Sequence, residues 1–390
     1  MDGVCDSVRA TLTGDVMRSW RAIENGTTPA TENGRQKYWK HWTQYVRCWN
    51  RGPFLDNETQ LESNIIIQAY AARVRTGFYG EGNTVKVQTV TKALAAISKT
   101  LELAGQPSPV YREDQKYQVS IEKMIEGMRR ADPLPRPQLA VPVKLVRESS
   151  LIALNNGDTR LVAITDLMVI AFYYLLRSGE YTKPKYVTSN KKRRKASRTV
   201  QFRVKDVGFF QGSAPIDKST ASFDDLLNAT SATLRIENQK NGKMGQCIHH
   251  EAIKDVTVGP TQALARRVHH ILSNGGDGNS LICEFKPNSG DWDCIQSNDI
   301  VLHVRVMARI LGIDKEGLDI DLIGAHSLRA GGAMALKLMG VADTIIMKMG
   351  RWSGLTFLMY IHNQIAHLSC DLSQKMSTDM PFVNITNFGE

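Results

Sequence analysis

LIGAHSLRAGGAMALKLMGVADTIIMKMGRWSGLTFLMYI, residues Leu322 to Ile361, is the stretch that decides how this sequence is interpreted. It contains His326 and Arg329 three positions apart, followed by Trp352 and Tyr360. If His326 lies near the start of a helix, Arg329 is one turn further on and can face the same point in space. The stretch therefore predicts that several polar side chains converge on one site.

Two helical segments carry these residues. Ala330–Gly340 has a helical composition and ends on a glycine, which is a common stop signal. A second segment around Tyr360 has apolar residues at helical spacing. Each aromatic residue, taken singly, would ordinarily be assigned to a helix core. Together the four side chains suit a phosphodiester, because imidazole, guanidinium and indole N–H groups can hold phosphate oxygens and a phenol can attack phosphorus.

Length and charge set the broad class of protein. The chain has 390 residues, 42% of them hydrophobic, which is enough for two domains with real cores. A formal net charge of +10 favours a polyanionic partner, although charge alone does not separate DNA from RNA or an acidic protein. We expect no membrane association, because no apolar run could span a bilayer, and the N-terminus does not resemble a secretory signal. Six scattered cysteines without a CxxC pair are typical of reduced thiols in an intracellular protein.

The N-terminal third predicts a small helical domain. Residues 1–30 show no sustained periodicity and are predicted to be a mobile tail, and residues 31–131 to be a helical domain. A helix over Gln36–Asn50 carries a stripe of aromatic residues, which we interpret as core-facing in preference to a base-stacking platform. Its basic face could touch phosphates through Lys37, Lys40 and Arg47. Further helices are predicted over Asn64–Arg75, Thr84–Leu103 and Asp114–Arg130.

A proline-rich linker separates the two predicted domains. Residues 132–142 contain four prolines, each of which restricts its own backbone and that of the preceding residue. We therefore predict an extended linker there and a second domain over residues 143–390.

The second domain is predicted to be mainly helical with a small β-sheet. Its expected helices are Val143–Leu154, Thr159–Leu176, Pro260–Ile271 and Asp299–Leu311. The second of these leads into LLRSGEY, which contains Arg177 and Glu180. Alternation predicts a strand over Thr199–Val207, followed by a loop at Gln211–Ser231.

A β-hairpin and a basic run complete the candidate residues. Thr233–Glu237 and Cys247–Ile253 flank NQKNGKMGQ, with Asn-Gly at or near the turn and Lys240 and Lys243 on it. Residues 183–205 contain ten Lys or Arg and no acid, which is typical of a solvated loop, a nuclear-import signal or a phosphate-contacting arm. The centre of that run is Lys191, Lys192, Arg193, Arg194 and Lys195.

The ordered set resembles the catalytic domain of tyrosine recombinases of the phage-integrase type. That signature has an arginine in a first box, a hairpin lysine, His-x-x-Arg in a second box, then His or Trp and a nucleophilic tyrosine. The motif sequences HSLRAGGA and GRW…FLMYIH are more similar to those of the eukaryotic Crypton and DIRS-type mobile elements than to those of bacterial resolvases. The matching positions are Arg177, Lys240, His326, Arg329, Trp352 and Tyr360, with Glu180 where the family often has an acid.

The resemblance implies an α+β fold in which an all-α core-binding, DNA-binding domain precedes a tyrosine-recombinase catalytic domain. It further implies cleavage and rejoining of double-stranded DNA through a covalent 3′-phosphotyrosyl intermediate on Tyr360, as in type IB topoisomerases. Lys240 is the expected general acid, with Lys243 as a second candidate, and Glu180 would orient Arg177 or His326. We expect no metal and no other cofactor, because carboxylate clusters and Cys/His ligand spacing are lacking in the sequence.

Three functions remain open at this point. The first is a site-specific recombinase or integrase that works as a tetramer on synapsed DNA and is a monomer or dimer when free. The second is a domesticated DNA-binding protein that keeps the fold without cleaving DNA. The third is a type IB topoisomerase, which typically has lysine where His326 stands here. The basic run and the resemblance of the motifs to eukaryotic elements predict that the protein is located in the nucleus if the host is eukaryotic. Otherwise we expect it in the cytoplasm or nucleoid.

Overall fold

The chain was analysed as a computed structural model. It describes residues 6–27, 29–134, 138–183, 201–237, 245–313, 315 and 319–360. These residues belong to two compact units, one ending at Pro135 and the other beginning at Arg136. The predicted class, mainly helical with a small antiparallel sheet, is confirmed. Along the described ranges, helices long and apolar enough to cross a membrane are absent.

The first unit is helical. Its core is formed by aromatic and aliphatic side chains, including Trp42, Tyr45 and Tyr70, all nearly inaccessible to solvent. The aromatic stripe predicted around Trp42 therefore faces the core at Trp42 and Tyr45, whereas Trp49 at its C-terminal end is 45% exposed. The helices are α1 (Asp6–Asn25), α2 (Pro29–Arg47), α3 (Gln60–Arg75), α4 (Val87–Leu103) and α5 (Val119–Arg130).

Residues 1–30 differ from the prediction of a mobile tail, because α1 occupies most of them. Its described apolar side chains, such as Trp20 and Ile23, are exposed. They recur at intervals of three and four residues from Val8 onward, which is a helical spacing.

The second unit contains the sheet and the remaining described helices. They are α6 (Val143–Asn156), α7 (Thr159–Tyr173), α8 (Ser178–Tyr181), α9 (Phe223–Leu227), α10 (Pro260–Ser273), α11 (Ser297–Ile310), α12 (Ser327–Leu338) and α13 (Asp343–Gly350). Helix α7 is the central element. Ten consecutive residues of α7, Ala163 to Phe172, are buried, so this helix is surrounded by protein on all sides.

The sheet has the order β2-β1-β3-β4 and is antiparallel throughout. Strands β3 and β4 form the predicted hairpin, with Thr233 opposite His249. A short pair, β5 and β6, stands apart from this sheet. The strands are β1 (Val207–Gln211), β2 (Ala214–Ile216), β3 (Ser231–Ile236), β4 (Gln246–Glu251), β5 (Glu284–Phe285) and β6 (Asp293–Cys294).

Two local predictions for the second unit were wrong. The strand expected over Thr199–Val207 begins only at Val207, because Val204–Asp206 forms a 3-10 turn closed by the Asp206 carboxylate, which accepts from the Arg203 amide at 2.9 Å. The loop expected at Gln211–Ser231 contains β2 and α9, and Ser222 caps the latter.

The second half of the predicted linker belongs to the core of the second unit. Ala140 and Val141 are buried, and the Val141 amide donates to the carbonyl of Ser327 at 3.1 Å. The Leu139 amide donates in the same way to Leu322. These bonds fix the segment against the start of α12, so it positions that helix besides connecting domains.

Helix α12 approaches its neighbours closely through the Ala-Gly-Gly-Ala part of its sequence. A Cβ on Gly331 would lie 2.2 Å from the carbonyl oxygen of Val141, and one on Gly332 would lie 2.1 Å from that of Phe172. Only hydrogen fits at these two positions. The pair of glycines therefore allows α12 to lie directly against the end of α7.

Candidate functional site

Arg177 and Glu180 form an ion pair at the start of α8. The Glu180 carboxylate accepts from the Arg177 amide at 2.8 Å and from Arg177 Nη1 at 3.3 Å. Glu180 is only 4% exposed, whereas 22% of the Arg177 side chain remains exposed. The carboxylate thus lies beneath a guanidinium that solvent, or a ligand, can reach. Arg177 is one of the two partners expected for Glu180 from the sequence.

His326 and Arg329 begin α12, as their spacing predicted. The His326 amide donates to Oε1 of Gln138 at 3.0 Å, so the end of the linker fixes this turn. Arg329 is buried, and its Nη1 donates to the carbonyl of Leu175 at 2.9 Å. Its Nη2 donates to the carbonyl of Gly350. Arg329 therefore joins the chain after α7 to the end of α13.

Trp352 contacts Arg329 through the face of its ring. The guanidinium carbon of Arg329 lies 4.2 Å from the ring centroid of Trp352, which is a cation–π distance. The indole also packs on Phe357, whose ring centroid is 5.4 Å away. A Cβ on Gly350 would lie 1.7 Å from this indole, so glycine is needed there for Trp352 to reach Arg329. The sequence motif predicts that Trp352 acts as an N–H donor, whereas the contact seen here uses its ring face.

Arg351 is a site residue that the sequence analysis missed. Its side chain is inaccessible to solvent, and its Nη2 donates to Oε2 of Glu180 at 2.7 Å. The same nitrogen lies 3.4 Å from the carbonyl oxygen of Leu175, which Arg329 also contacts. Burial lowers the pKa of the Arg351 guanidinium, the Glu180 carboxylate raises it in opposition, and Arg177 lowers it. One signal was available: Arg351 directly precedes Trp352, which was already a candidate site residue.

Two residues of this cluster have left-handed backbone conformations. Leu175 has a φ of 48°, and Arg351, the residue after α13, has a φ of 58°. Such values are uncommon for residues other than glycine, and they concentrate at functional sites. At Leu175 this conformation accompanies a carbonyl that accepts from both Arg329 and Arg351.

Two arginines of the cluster share one carboxylate. The guanidinium groups of Arg177 and Arg351 both contact Glu180. Arg329 is linked to these ion pairs through the Leu175 carbonyl, which accepts from Arg329 and from Arg351. Because two guanidinium groups share the Glu180 carboxylate and the Arg177 side chain remains partly exposed, the cluster suits an anionic ligand.

Several predicted site residues lie outside the described part of the chain. They are Lys240, Lys243, Lys191, Lys192, Arg193, Arg194 and Lys195. Tyr360 is the last residue of a 3-10 helix over Leu355–Tyr360, and only its backbone is described.

The basic residues predicted on the first unit lie on α2. Lys37, Lys40 and Arg47 are exposed. The aromatic side chains of the same helix, such as Trp42, are in the core. Across the described ranges, clusters of three or more His, Cys, Asp or Glu that could hold a metal ion are absent.

Comparison with solved structures gives matches over most of the chain. One is the Tn1549 transposon integrase in complex with circular intermediate DNA, with 14% identity, 88% of this chain and 92% of that chain covered, and a TM-score of 0.47. Another is the XerH site-specific recombinase bound to palindromic difH substrate, with 15% identity, coverages of 82% and 74%, and a TM-score of 0.44. The XerA recombinase matches at 14% identity, coverages of 93% and 97%, and a TM-score of 0.36. No protein-family model and no curated protein matches the sequence.

Proposed function

We propose that this protein is a DNA recombinase that cuts and rejoins double-stranded DNA, using Tyr360 as the nucleophile. The observation that carries the proposal is a cluster in which Arg177 and Arg351 pair with the buried Glu180 carboxylate, and Arg329 shares the Leu175 carbonyl with Arg351. The cluster lies at the first-box arginine and the His-x-x-Arg motif, which the sequence resemblance connects to a scissile phosphate. We further propose that the chain belongs with the eukaryotic Crypton and DIRS-type recombinases, because the sequence of its HSLRAGGA motif resembles theirs.

The reaction we propose is a transesterification. The phenolate oxygen of Tyr360 attacks phosphorus, the bond from phosphorus to the 5′ oxygen breaks, and a 3′-phosphotyrosyl ester forms. Arg177, together with His326 and Arg329, stabilises the negative charge that develops on the non-bridging oxygens. The departing 5′ oxygen needs a proton, for which Lys240 is the proposed donor and Lys243 the second candidate. Rejoining is the reverse reaction with a new 5′-hydroxyl, so the ester conserves the energy of the broken bond.

The partner we propose is duplex DNA bound by both units. The exposed face of α2 with Lys37, Lys40 and Arg47 would contact phosphates, as would the basic run centred on Lys191–Lys195. Exchange between two duplexes requires more than one active site, and the resemblance implies four copies on synapsed DNA. Sedimentation of the protein with and without its DNA site measures this directly.

The test is formation of a covalent adduct. A DNA site is first selected from random duplexes by binding, and a nicked suicide version of it is then incubated with the protein. We expect a denaturation-resistant protein–DNA species that Tyr360→Phe abolishes. Tyr173→Phe, which changes a half-buried tyrosine elsewhere in the second unit, is the matched control and should retain the adduct. An adduct that persists in Tyr360→Phe would refute the assignment.

The alternative function is sequence-specific DNA binding without cleavage. It is favoured by one observation: both terminal nitrogens of Arg329 donate to backbone carbonyls, those of Leu175 and Gly350. A guanidinium has five N–H donors, so these bonds leave the recombinase chemistry feasible. Tight binding to the selected site with no adduct on its suicide form would favour the alternative.

A further inference from the structure

We infer that Arg351 is a positioning residue for strand cleavage, which acts by holding Glu180 so that Arg177 stays available to the phosphate. This inference rests on the proposed function and adds to it a residue outside the six-residue motif set. The evidence is the geometry of the buried pair formed by Arg351 and Glu180.

Arg351 occupies a position where an arginine is unfavourable. Nε and Nη1 of Arg351 are buried and lack a hydrogen-bond partner among the described residues. An unpaired buried donor destabilises the folded protein, and so does a left-handed backbone at a residue other than glycine. The position directly after a helix ordinarily has glycine. A charged side chain kept at both costs is better explained by what its charge does than by packing.

The Glu180 carboxylate is shared unequally between two arginines. Its Oε2 accepts from Arg351 Nη2 at 2.7 Å and from the Arg177 amide at 2.8 Å, whereas its Oε1 contacts Arg177 Nη1 at 3.3 Å. The shorter and fully buried side-chain contact is therefore the one with Arg351. Because Arg351 neutralises the carboxylate, Arg177 is held in place by Glu180 without being neutralised by it.

Arg177 and Arg351 differ in their access to a ligand. The Arg351 side chain has no exposed surface, whereas that of Arg177 is 22% exposed. Contact with a phosphate therefore falls to Arg177, and Arg351 acts through Glu180. Loss of Arg351 would leave a buried carboxylate with Arg177 as its remaining charge partner among the described side chains, and attraction would draw that guanidinium inward.

The experiment measures single-turnover adduct formation by Arg351→Gln, Arg351→Lys, and the double variant Arg351→Gln with Glu180→Gln. We expect Arg351→Gln to slow cleavage by about 10- to 100-fold with DNA affinity changed less than about 3-fold. Arg351→Lys keeps the positive charge, so its cleavage rate should fall less than that of Arg351→Gln. The double variant removes both charges, so Arg177 is no longer drawn inward, and it should cleave at least about 10-fold faster than Arg351→Gln.

A second substrate separates positioning from a general structural defect. A methylphosphonate at the scissile position replaces a charged non-bridging oxygen by a neutral methyl group, so neutralisation by Arg177 matters less. The factor by which Arg351→Gln forms the adduct more slowly than the unsubstituted protein should be about 10-fold smaller on this substrate. Arg267→Gln, which changes a buried arginine that binds backbone carbonyls of Ile282 and Glu284, is the control and should show the same deficit on both substrates.

The outcomes are distinguishable. A double variant as slow as Arg351→Gln, or an equal deficit on both substrates, overturns the inference while leaving the proposed function intact. Absence of an adduct with the natural sequence overturns the proposed function, and the inference with it. Natural cleavage rates in Arg351→Gln would also overturn the inference.

Discussion

The guanidinium of Arg329 lies over the indole ring of Trp352, with 4.2 Å between the guanidinium carbon and the ring centroid. This contact, with the carbonyls of Leu175 and Gly350, fixes an arginine that the proposed chemistry requires. The ring face of Trp352 therefore holds the Arg329 guanidinium in position. Its effect on the cleavage rate can be separated from that of the Trp352 N–H group.

Substitution of Trp352 tests this separation. Trp352→Phe keeps an aromatic face and removes the N–H donor, whereas Trp352→Ala removes both. A cation–π contact is worth about 0.5–2 kcal/mol, so we expect Trp352→Ala to slow adduct formation by about 2- to 30-fold and Trp352→Phe to slow it less. Single-turnover rates on the suicide substrate measure both. Equal loss in the two variants would instead identify the indole N–H as the contributing group.

Gly350→Ala should damage the same contact through sterics. The added methyl would overlap the Trp352 ring, which must move away from Arg329. A displacement of about 1 Å at a reacting centre can cost on the order of 100-fold in rate, and we expect a loss of that size with DNA binding retained. Gly354→Ala is the matched control, because a methyl there meets no neighbouring atom within 4 Å. A normal rate in Gly350→Ala would show that Trp352 can relocate without consequence.

Gly332→Ala should lower the free energy of unfolding. The new Cβ would lie 2.1 Å from the carbonyl oxygen of Phe172, so α12 and α7 must separate. Overpacking of this kind costs about 1–3 kcal/mol, measured by urea denaturation. The control is Gly127→Ala in α5, where open space surrounds the position and alanine should stabilise by up to about 1 kcal/mol. The prediction fails if both alanines shift the midpoint equally.

Stability should decrease at mildly acidic pH, partly through His270. Its Nε2 accepts from the Lys286 amide at 3.0 Å, and burial, with Arg267 and His269, lowers its pKa to about 4. The unfolded value is about 6.5, so between these values the unfolded chain binds a proton that the folded chain does not. The contribution of His270 is therefore complete above pH ~6.5 and is lost as the pH falls towards ~4.

The measurement is thermal unfolding across that pH range. His270→Gln keeps an acceptor for the Lys286 amide and removes the titration, so its midpoint should fall less steeply with acid. His249→Gln changes an exposed histidine on β4, so its unfolding midpoint should depend on pH as that of the unsubstituted protein does. Parallel curves for all three proteins would exclude a role for His270.

The exposed basic face of α2 should contribute to DNA affinity without sequence preference. Replacement of Lys37, Lys40 and Arg47 by glutamine should weaken binding to all duplexes and reduce the salt slope by up to about 2.7, or 0.9 for each lost phosphate contact. The control triple changes Lys99, Lys116 and Lys123, whose ammonium groups already pair with Glu102, Asp114 and Glu126. Salt titrations that coincide for the two triples would place the phosphate contacts elsewhere.

Much of the architecture follows from local patterns in the sequence. The helices around Trp42 and through Ala163–Phe172 were predicted because helical periodicity and a long apolar run are visible in the local sequence alone. The hairpin was predicted because Asn-Gly marks a turn between two alternating segments. His326 lies at the start of α12, so the condition under which Arg329 follows one turn later is met.

Other features depend on contacts between distant segments, which local patterns do not contain. Arg351 was missed because its partner, Glu180, lies 171 positions away and its backbone is left-handed. The burial of Ala140 and Val141 was missed because proline-rich composition indicates extension but not what the extended chain packs against. The face-on contact of Trp352 likewise follows from Gly350, whose missing side chain makes room for the ring.

The carbonyl of Leu175 accepts from Arg329, 154 positions later in the chain, and from Arg351, 176 positions later. A ribosome that has made the first arginine box must therefore synthesise almost half of the protein before these partners exist. Newly made or partly unfolded chains lack the assembled cluster. Under the proposed function, such chains cannot cut the genome while they are still incomplete.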